Sequence, residues 1–283
     1  MKIKFGLGLI ITALISINAF AQQLQPETSG GYQLVWQDEF NQKGAPDSSR
    51  WQHEHGFVRN HELQWYQAEN ADCADGKLVI KAEHIKKPNP NYQPQSTEWR
   101  TNREFIEYTA ASLNTRRSAS WKYGRFVMRA RIDTAAGLWP AFWTLGVDGP
   151  WPSNGEIDIM EYYRGKLLAN IACGTAKPYT AKWYSVTKPI QEFKDAQWSR
   201  KYHVWRMDWD STAISLFVDD RLLNRVKLDD LVNGDGTGIN PFKQPHYILV
   251  NLALGGDNGG DPSKTSFPRS YEIDYIRVYQ KKD

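Results

Sequence analysis

Cysteine is nearly missing from this sequence: Cys73 and Cys173 are the only two in 283 residues. Neither belongs to a CxxC pair or a Cys/His spacing, which excludes a zinc site and a disulfide-stapled scaffold. In an oxidising compartment the two could pair, but we expect two separate buried thiols. Long hydrophobic runs are missing as well. The first apolar stretch, Phe5 to Ile17, falls short of the roughly 18 residues that a bilayer span needs, and no later stretch comes closer. A channel or transporter is excluded, and no membrane partner is expected. An excess of one charge is lacking too, since 35 Lys and Arg against 32 Asp and Glu leave +3. Basic pairs such as Arg116-Arg117 are isolated, so no nucleic-acid partner is expected. Helical periodicity is scarce, with Leu228 to Asn233 the best short candidate, and there is no repeat at solenoid or propeller period. What is abundant is aromatic: 12 Trp, 14 Tyr and 11 Phe. The tryptophans need an explanation.

Met1 to Ala21 has a charged start at Lys2 and Lys4, an apolar middle, and a small-x-small end at Ala19-Phe20-Ala21. These are the parts of a secretory signal peptide cleaved after Ala21, which predicts a periplasmic or secreted product. No Cys follows the cleavage point, so no lipid anchor is expected. Cleavage removes two lysines and takes the charge from +3 to 3 − 2 = +1. A short polar lead, 22–31, precedes a single domain over 32–283, because no linker or low-complexity tract divides the rest.

That domain alternates. In Gly124 to Asp133, Phe126, Met128, Ala130 and Ile132 fall on one face and Arg129, Arg131 and Asp133 on the other. Similar runs begin at Lys77, Ile106, Leu168, Tyr202, Ala213, His246 and Tyr271, with turn residues such as Asp75-Gly76 and Gly255-Gly256 between them. Roughly ten or more strands without βαβ alternation predict an all-β antiparallel sandwich or barrel. The least strand-like stretch, Lys86 to Arg103, carries three prolines and predicts a long surface loop.

Chemistry concentrates in Gly155-Glu156-Ile157-Asp158-Ile159-Met160-Glu161. Strict alternation puts Glu156 and Asp158 on one face and would send Glu161 to the aliphatic face. One extra residue at Ile159-Met160, a β-bulge, returns all three acids to one side. Glu156 and Glu161 are then about 13 Å apart at Cα. Two Glu side chains leaning together would bring their carboxyls to roughly 5–6 Å, the spacing of a retaining glycosidase, with Asp158 between them to push their pKa values apart. Two other readings stay open: a solvated acidic strand face, which like-charge repulsion disfavours, and a hard-cation site of three carboxylates. His53-Glu54-His55 lacks a third ligand at a recognisable spacing.

Trp139, Trp143 and Trp151 lie just upstream, in GLWPAFW and WPSNG. Flat rings suit the C–H faces of sugars while the indole N–H reaches hydroxyls, yet buried aromatics also make sandwich cores. Trp205 and Trp209 alternate with polar residues beside His203 and Met207, which assigns them to the core.

These residues resemble glycoside hydrolase family 16: GEIDIME is similar to its active-site strand in the bulged form, as found in laminarinase-like endo-β-glucanases. VWQDEF, ELQWY, DGKLVI, NLALGG and YEIDYIRVYQ resemble other strands of the family, over essentially the whole mature chain. The resemblance implies a β-jelly-roll sandwich of two curved antiparallel sheets with a concave substrate cleft. It implies Glu156 as nucleophile, Glu161 as general acid/base and Asp158 as the partner that tunes Glu156. Trp139, Trp143, Trp151 and Asn60 match sugar-binding positions. No cofactor serves catalysis, but the resemblance implies a structural calcium at Glu39, Gly76 and Asp274. The expected activity is a retaining endo-β-glycanase on β-1,3- or mixed-linkage β-1,3-1,4-glucan, acting as a monomer on a β-linked polysaccharide or oligosaccharide. The alternatives are a family 16 enzyme cleaving β-galactans or host O-glycans, and a carbohydrate-binding jelly roll without catalysis.

Overall fold

The computed structural model describes residues 31–282. The expected signal peptide and nearly all of the polar lead lie outside the described residues. In chain order the strands are β1 (Tyr32–Asp38), β2 (Gln52–His53), β3 (Gln64–Tyr66), β4 (Ala71–Ala74), β5 (Lys77–Pro88), β6 (Phe105–Ala110), β7 (Ser112–Asn114), β8 (Gly124–Arg131) and β9 (Leu138–Gly146). They continue with β10 (Glu156–Tyr163), β11 (Lys166–Gly174), β12 (Ala181–Pro189), β13 (His203–Trp209), β14 (Ala213–Val218), β15 (Arg221–Lys227), β16 (His246–Leu254) and β17 (Arg269–Lys281).

Two sheets result. The ten-stranded sheet runs β15-β14-β13-β8-β17-β5-β6-β3, with β1 also on β17 and β4 on β5; the seven-stranded sheet runs β12-β11-β10-β9-β16-β7-β2. Every strand pairing is antiparallel except β3 with β6. The core lies between the sheets and follows the alternation of the sequence. Phe126, Met128 and Ala130 of β8 are fully buried, as are Trp205, Met207 and Trp209 of β13. They share one cluster with Phe142, Ile157, Ile171 and Val250 of the other sheet. Burial of each large side chain contributes on the order of 1.5–3 kcal/mol. The indole N–H groups of Trp205 and Trp209 have no hydrogen-bond partner, which offsets part of that gain.

Four expectations change in detail. The run from Ile106 is two strands: β6 ends at Ala110 in the ten-stranded sheet, and β7 begins at Ser112 in the seven-stranded one. The chain therefore crosses between sheets at Ala111. The loop expected from Lys86 begins later, because β5 continues to Pro88, with Lys87 opposite Ile106 and Pro88 opposite Phe105. The helical candidate at Leu228 to Asn233 is a single 3₁₀ turn, Leu228–Asp230. A strand the alternation search passed over, β12, forms one edge of the seven-stranded sheet. Cys73 and Cys173 are free and buried, as expected.

Candidate active site

The expected bulge is present in β10. Against β11, Asp158 opposes Asn170 and Glu161 opposes Leu168; against β9, Asp158 opposes Trp143 and Met160 opposes Phe142. One more residue has entered β10 than its neighbours supply. Ile159 and Met160 are both fully buried in the main core cluster. Two successive apolar side chains thus pack inward, and their burial offsets the interrupted ladder. Glu161 is thereby returned to the side of Glu156 and Asp158.

Strand registers then align the outer face of the sheet into three ranks crossing the strands, about 4.8 Å apart from strand to strand. The first reads Trp183, Ala172, Glu156, Leu145, Tyr247. The second reads Ser185, Asn170, Asp158, Trp143, Leu249, and the third Thr187, Leu168, Glu161, Ala141, Asn251. A cleft of about 750 Å³ lies over them, and its lining includes all three acids with Asn60, Trp139, Trp143 and Trp151.

The tryptophans serve the acids more directly than expected. The Trp139 indole donates to Glu161 Oε1 at 2.7 Å, and the Trp151 indole donates to Glu156 Oε2. Trp143 donates to Asn251 Oδ1 at 2.8 Å. All three N–H groups are therefore engaged within the protein. Trp139 and Trp143 are 6% and 8% exposed, while Trp151 is 40% exposed and is the most open of the three at the cleft.

Asn170 completes the set, donating to Glu161 Oε2 at 2.9 Å and to Asp158 Oδ2 at 3.3 Å. Burial pushes the Asp158 carboxyl well above the usual carboxylate range, and the charges of Glu161 and Glu156 push it further. Burial and its neighbours' charges thus favour its protonated form, and it hydrogen-bonds with both glutamates. Burial raises Glu156 too, opposed by hydrogen bonds from Trp151 and Asp158 and by the charge of Arg59. Burial raises Glu161 to about 7; hydrogen bonds donated by Trp139 and Asn170 and one shared with Asp158 oppose the rise, and the Glu156 charge adds to it. Asp158 thus separates two carboxyls, one of which, Glu161, is poised to exchange a proton near neutrality.

Residues missed in the sequence surround this centre. Arg59 lines the cleft; its guanidinium lies 5.2 Å from the centre of the Trp143 ring and pairs with Glu54, which Ser112 holds at 2.6 Å. Glu62 is buried beside it and takes hydrogen bonds from Gln64 at 2.7 Å and Asn60 at 3.3 Å. Asn170 was legible in principle. Arg164 and Gly165, both at positive φ, make a two-residue hairpin turn between β10 and β11, and counting back from it through one bulge puts Asn170 opposite Asp158. Trp183, Ser185 and Thr187 alternate along β12 and line the far side of the cleft.

The calcium positions converge in the backbone, since Asp38 opposes Ile276 and Leu78 opposes Ile273 at one stretch of β17. Their side chains are committed elsewhere. Glu39 takes both arms of Arg277 at 2.6 and 2.7 Å, and Asp274 pairs with Arg129. Both oxygens of Glu39 are committed to Arg277, so its side chain does not fit the expected calcium, whereas the Asp274 pair engages Oδ2 alone. Among the described residues no group of three or more His, Cys, Asp or Glu that could hold a metal ion is found, the three acids of the cleft included. His53 and Glu54 likewise form no such group.

The chain is similar to known proteins in both sequence and structure. The chain is 35% identical over 265 residues to a beta-glucanase of Rhodothermus marinus, covering 88% of this chain and 85% of that one. Among solved structures it superposes with a TM-score of 0.81, at 32% identity and over 90% of this chain and 92% of the other, on one from a study of endo-acting O-glycanases that gut bacteria express to initiate mucin breakdown. The laminarinase catalytic domain of Thermotoga maritima gives 0.73 at 29% identity, over 89% and 99%. Residues 50–277, from just ahead of β2 to well within β17, match the family described as glycosyl hydrolases family 16, and with the bulged acid strand inside that span, the chain belongs to this family.

Proposed function

We propose that this glycoside hydrolase is a retaining endo-β-glycanase, and that its substrate is β-1,3-glucan or mixed-linkage β-1,3-1,4-glucan. The observation that carries the mechanism is Asp158, its carboxyl pushed well upward by burial and like charge, lying between two glutamates with which it hydrogen-bonds. Glu156, held by Trp151, attacks the anomeric carbon. Glu161, still largely protonated up to about pH 7, donates its proton to the departing glycosidic oxygen. The covalent glycosyl-enzyme forms, and Glu161, now ionised, takes a proton from the water that releases it. Asp158 donates to Glu156 throughout, spreading the nucleophile's charge without adding its own. The substrate class is supported by the beta-glucanase and laminarinase relatives and by an open cleft whose tryptophans and amides suit a neutral sugar chain.

A second reading, cleavage of host O-glycan or β-galactan chains, is favoured by one observation: the superposition is tighter on the O-glycanase-study structure than on the laminarinase. A panel of laminarin, mixed-linkage glucan, agarose, porphyran and mucin-type glycans, with products identified by linkage and length, separates the two. Glu156→Ala should abolish hydrolysis of whichever glycan is cut. Glu161→Ala should turn over only substrates with good leaving groups and regain activity with azide; full activity in either variant would refute the assignment. The leader read from Met1 to Ala21 supports export to the periplasm or beyond, and mass spectrometry of the exported protein should find Gln22 at its N-terminus.

A further inference from the structure

Residues 89–104, between β5 and β6, take no part in the chemistry above, yet they fold into a closed unit. The Asn89 side chain donates to the carbonyls of Arg100 at 3.1 Å and Arg103 at 2.8 Å, and the Asn89 backbone N–H donates to Glu104 at 2.9 Å. From this unit three side chains reach the cleft wall. Arg103 donates from Nη1 to the Glu62 carbonyl at 2.7 Å and from Nη2 to the His61 carbonyl at 2.9 Å. Arg100 donates to the Val58 carbonyl at 2.7 Å. Trp99 sets its ring 5.2 Å from that of His61 and 6.1 Å from that of Phe57, and Arg103 lies over Phe57 at 4.7 Å.

What these groups grip is the segment 57–62, which carries Arg59, Asn60 and Glu62 into the cleft. Its backbone needs holding. Asn60 and His61 are successive non-glycine residues at φ 54° and 49°, a conformation that persists only where the surroundings impose it. The opposite side is held as well: the Asp257 N–H donates to the Asn60 carbonyl at 2.9 Å, and the Asp257 carboxylate meets His61 Nδ1 at 3.0 Å. A Cβ on Gly256 would stand 2.4 Å from the Asn60 carbonyl oxygen, so the contact is close.

We propose that Arg103 is a positioning residue, and that the 89–104 loop is a clamp fixing the Arg59–Asn60 wall against which the substrate chain is held beside the acids. The proposal rests on the glycanase reading. It needs the fork of an arginine, because one planar group serves two adjacent carbonyls. The clamp does not touch Glu156, Asp158 or Glu161, so it acts on binding more than on bond cleavage.

The test is steady-state kinetics of the full chain on laminarin for wild type, Arg103→Ala, Arg103→Lys and Arg100→Ala, with thermal melts of each. Arg103→Ala should raise KM roughly tenfold with kcat changed less than about twofold. Arg103→Lys should not restore KM, and Arg100→Ala, which frees one carbonyl only, should show a smaller rise with its melting temperature close to wild type. An unchanged KM in Arg103→Ala, a fall confined to kcat, or full restoration by lysine would overturn the clamp. Wild-type protein that leaves both laminarin and mixed-linkage glucan intact would refute the glucan reading instead, and the same four proteins would then be compared on the glycan of the panel that is cut.

Discussion

The Trp139 indole N–H points at Glu161 Oε1 from 2.7 Å, and so stabilises the ionised form of the carboxyl we assign as general acid. Trp139→Phe removes that donor. Hydrogen bonds to charged groups contribute about 1.5–3 kcal/mol, and one pH unit corresponds to about 1.4 kcal/mol. Glu161 would hold its proton more tightly, so the alkaline limb of the kcat/KM profile should move upward from about 7 by about one unit. A pH–rate profile of the variant checks this; a limb that stays or moves down contradicts it.

Ionised Glu161 is a cost to the fold. Its folded carboxyl is raised from 4.5 to about 7, so between those values the folded protein binds more protons than the unfolded chain and loses stability as pH rises. Fully ionised at pH 8, it costs about 3 kcal/mol. Glu161→Gln should therefore be more stable than wild type at pH 8, and the difference should vanish near pH 4.5. Urea unfolding at the two pH values measures it.

An amide mimics the protonated form of Asp158, the form that burial and its neighbours' charges favour. Asp158→Asn keeps the size and a donor to Glu156, whereas Asp158→Ala leaves both glutamates facing a void. The asparagine variant should retain at least about tenfold more kcat than the alanine variant, the order of one charge-assisted hydrogen bond. Equal losses would mean that Asp158 works as a charge.

Deleting Met160 removes the extra residue of β10. The run Glu156-Ile157-Asp158-Ile159-Glu161 then alternates strictly, which keeps all three acids on the cleft face without a bulge. What is lost is the inward packing of Met160, fully buried in the main core cluster, so stability should fall by roughly 2–5 kcal/mol while activity survives at a reduced level. Circular dichroism melts and an activity assay read both; a folded but inactive deletion would show that the bulge itself sets the placement of the acids.

The extent to which the site was legible from the chain follows from which interactions are local. The bulge was readable because the three acids and three apolar residues of Glu156 to Glu161 allow only one arrangement that keeps charge out of the core. The core of β8 and β13 was readable for the same reason: each strand carries its own period. Two other features lie across the chain. Indole N–H groups have two plausible uses, and only the register of β9 on β10 shows that Trp139 is committed to Glu161. β12 was passed over because Lys182 and Lys188 dilute its pattern, as suits an edge strand. Arg59 and Arg103 act through carbonyls and a turn of backbone that no residue pattern announces.

The place of β17 in the ten-stranded sheet governs how the chain can be assembled. It has β8 along one edge and β5, then β1, along the other, and all three precede it in the sequence. Until Arg269–Lys281 has left the ribosome, β8 and β5 have no strand to join them, and the sheet cannot close over its core. Such non-local pairing makes folding slow. For the export proposed above, a nascent chain that cannot fold early is still threadable when it reaches a membrane channel.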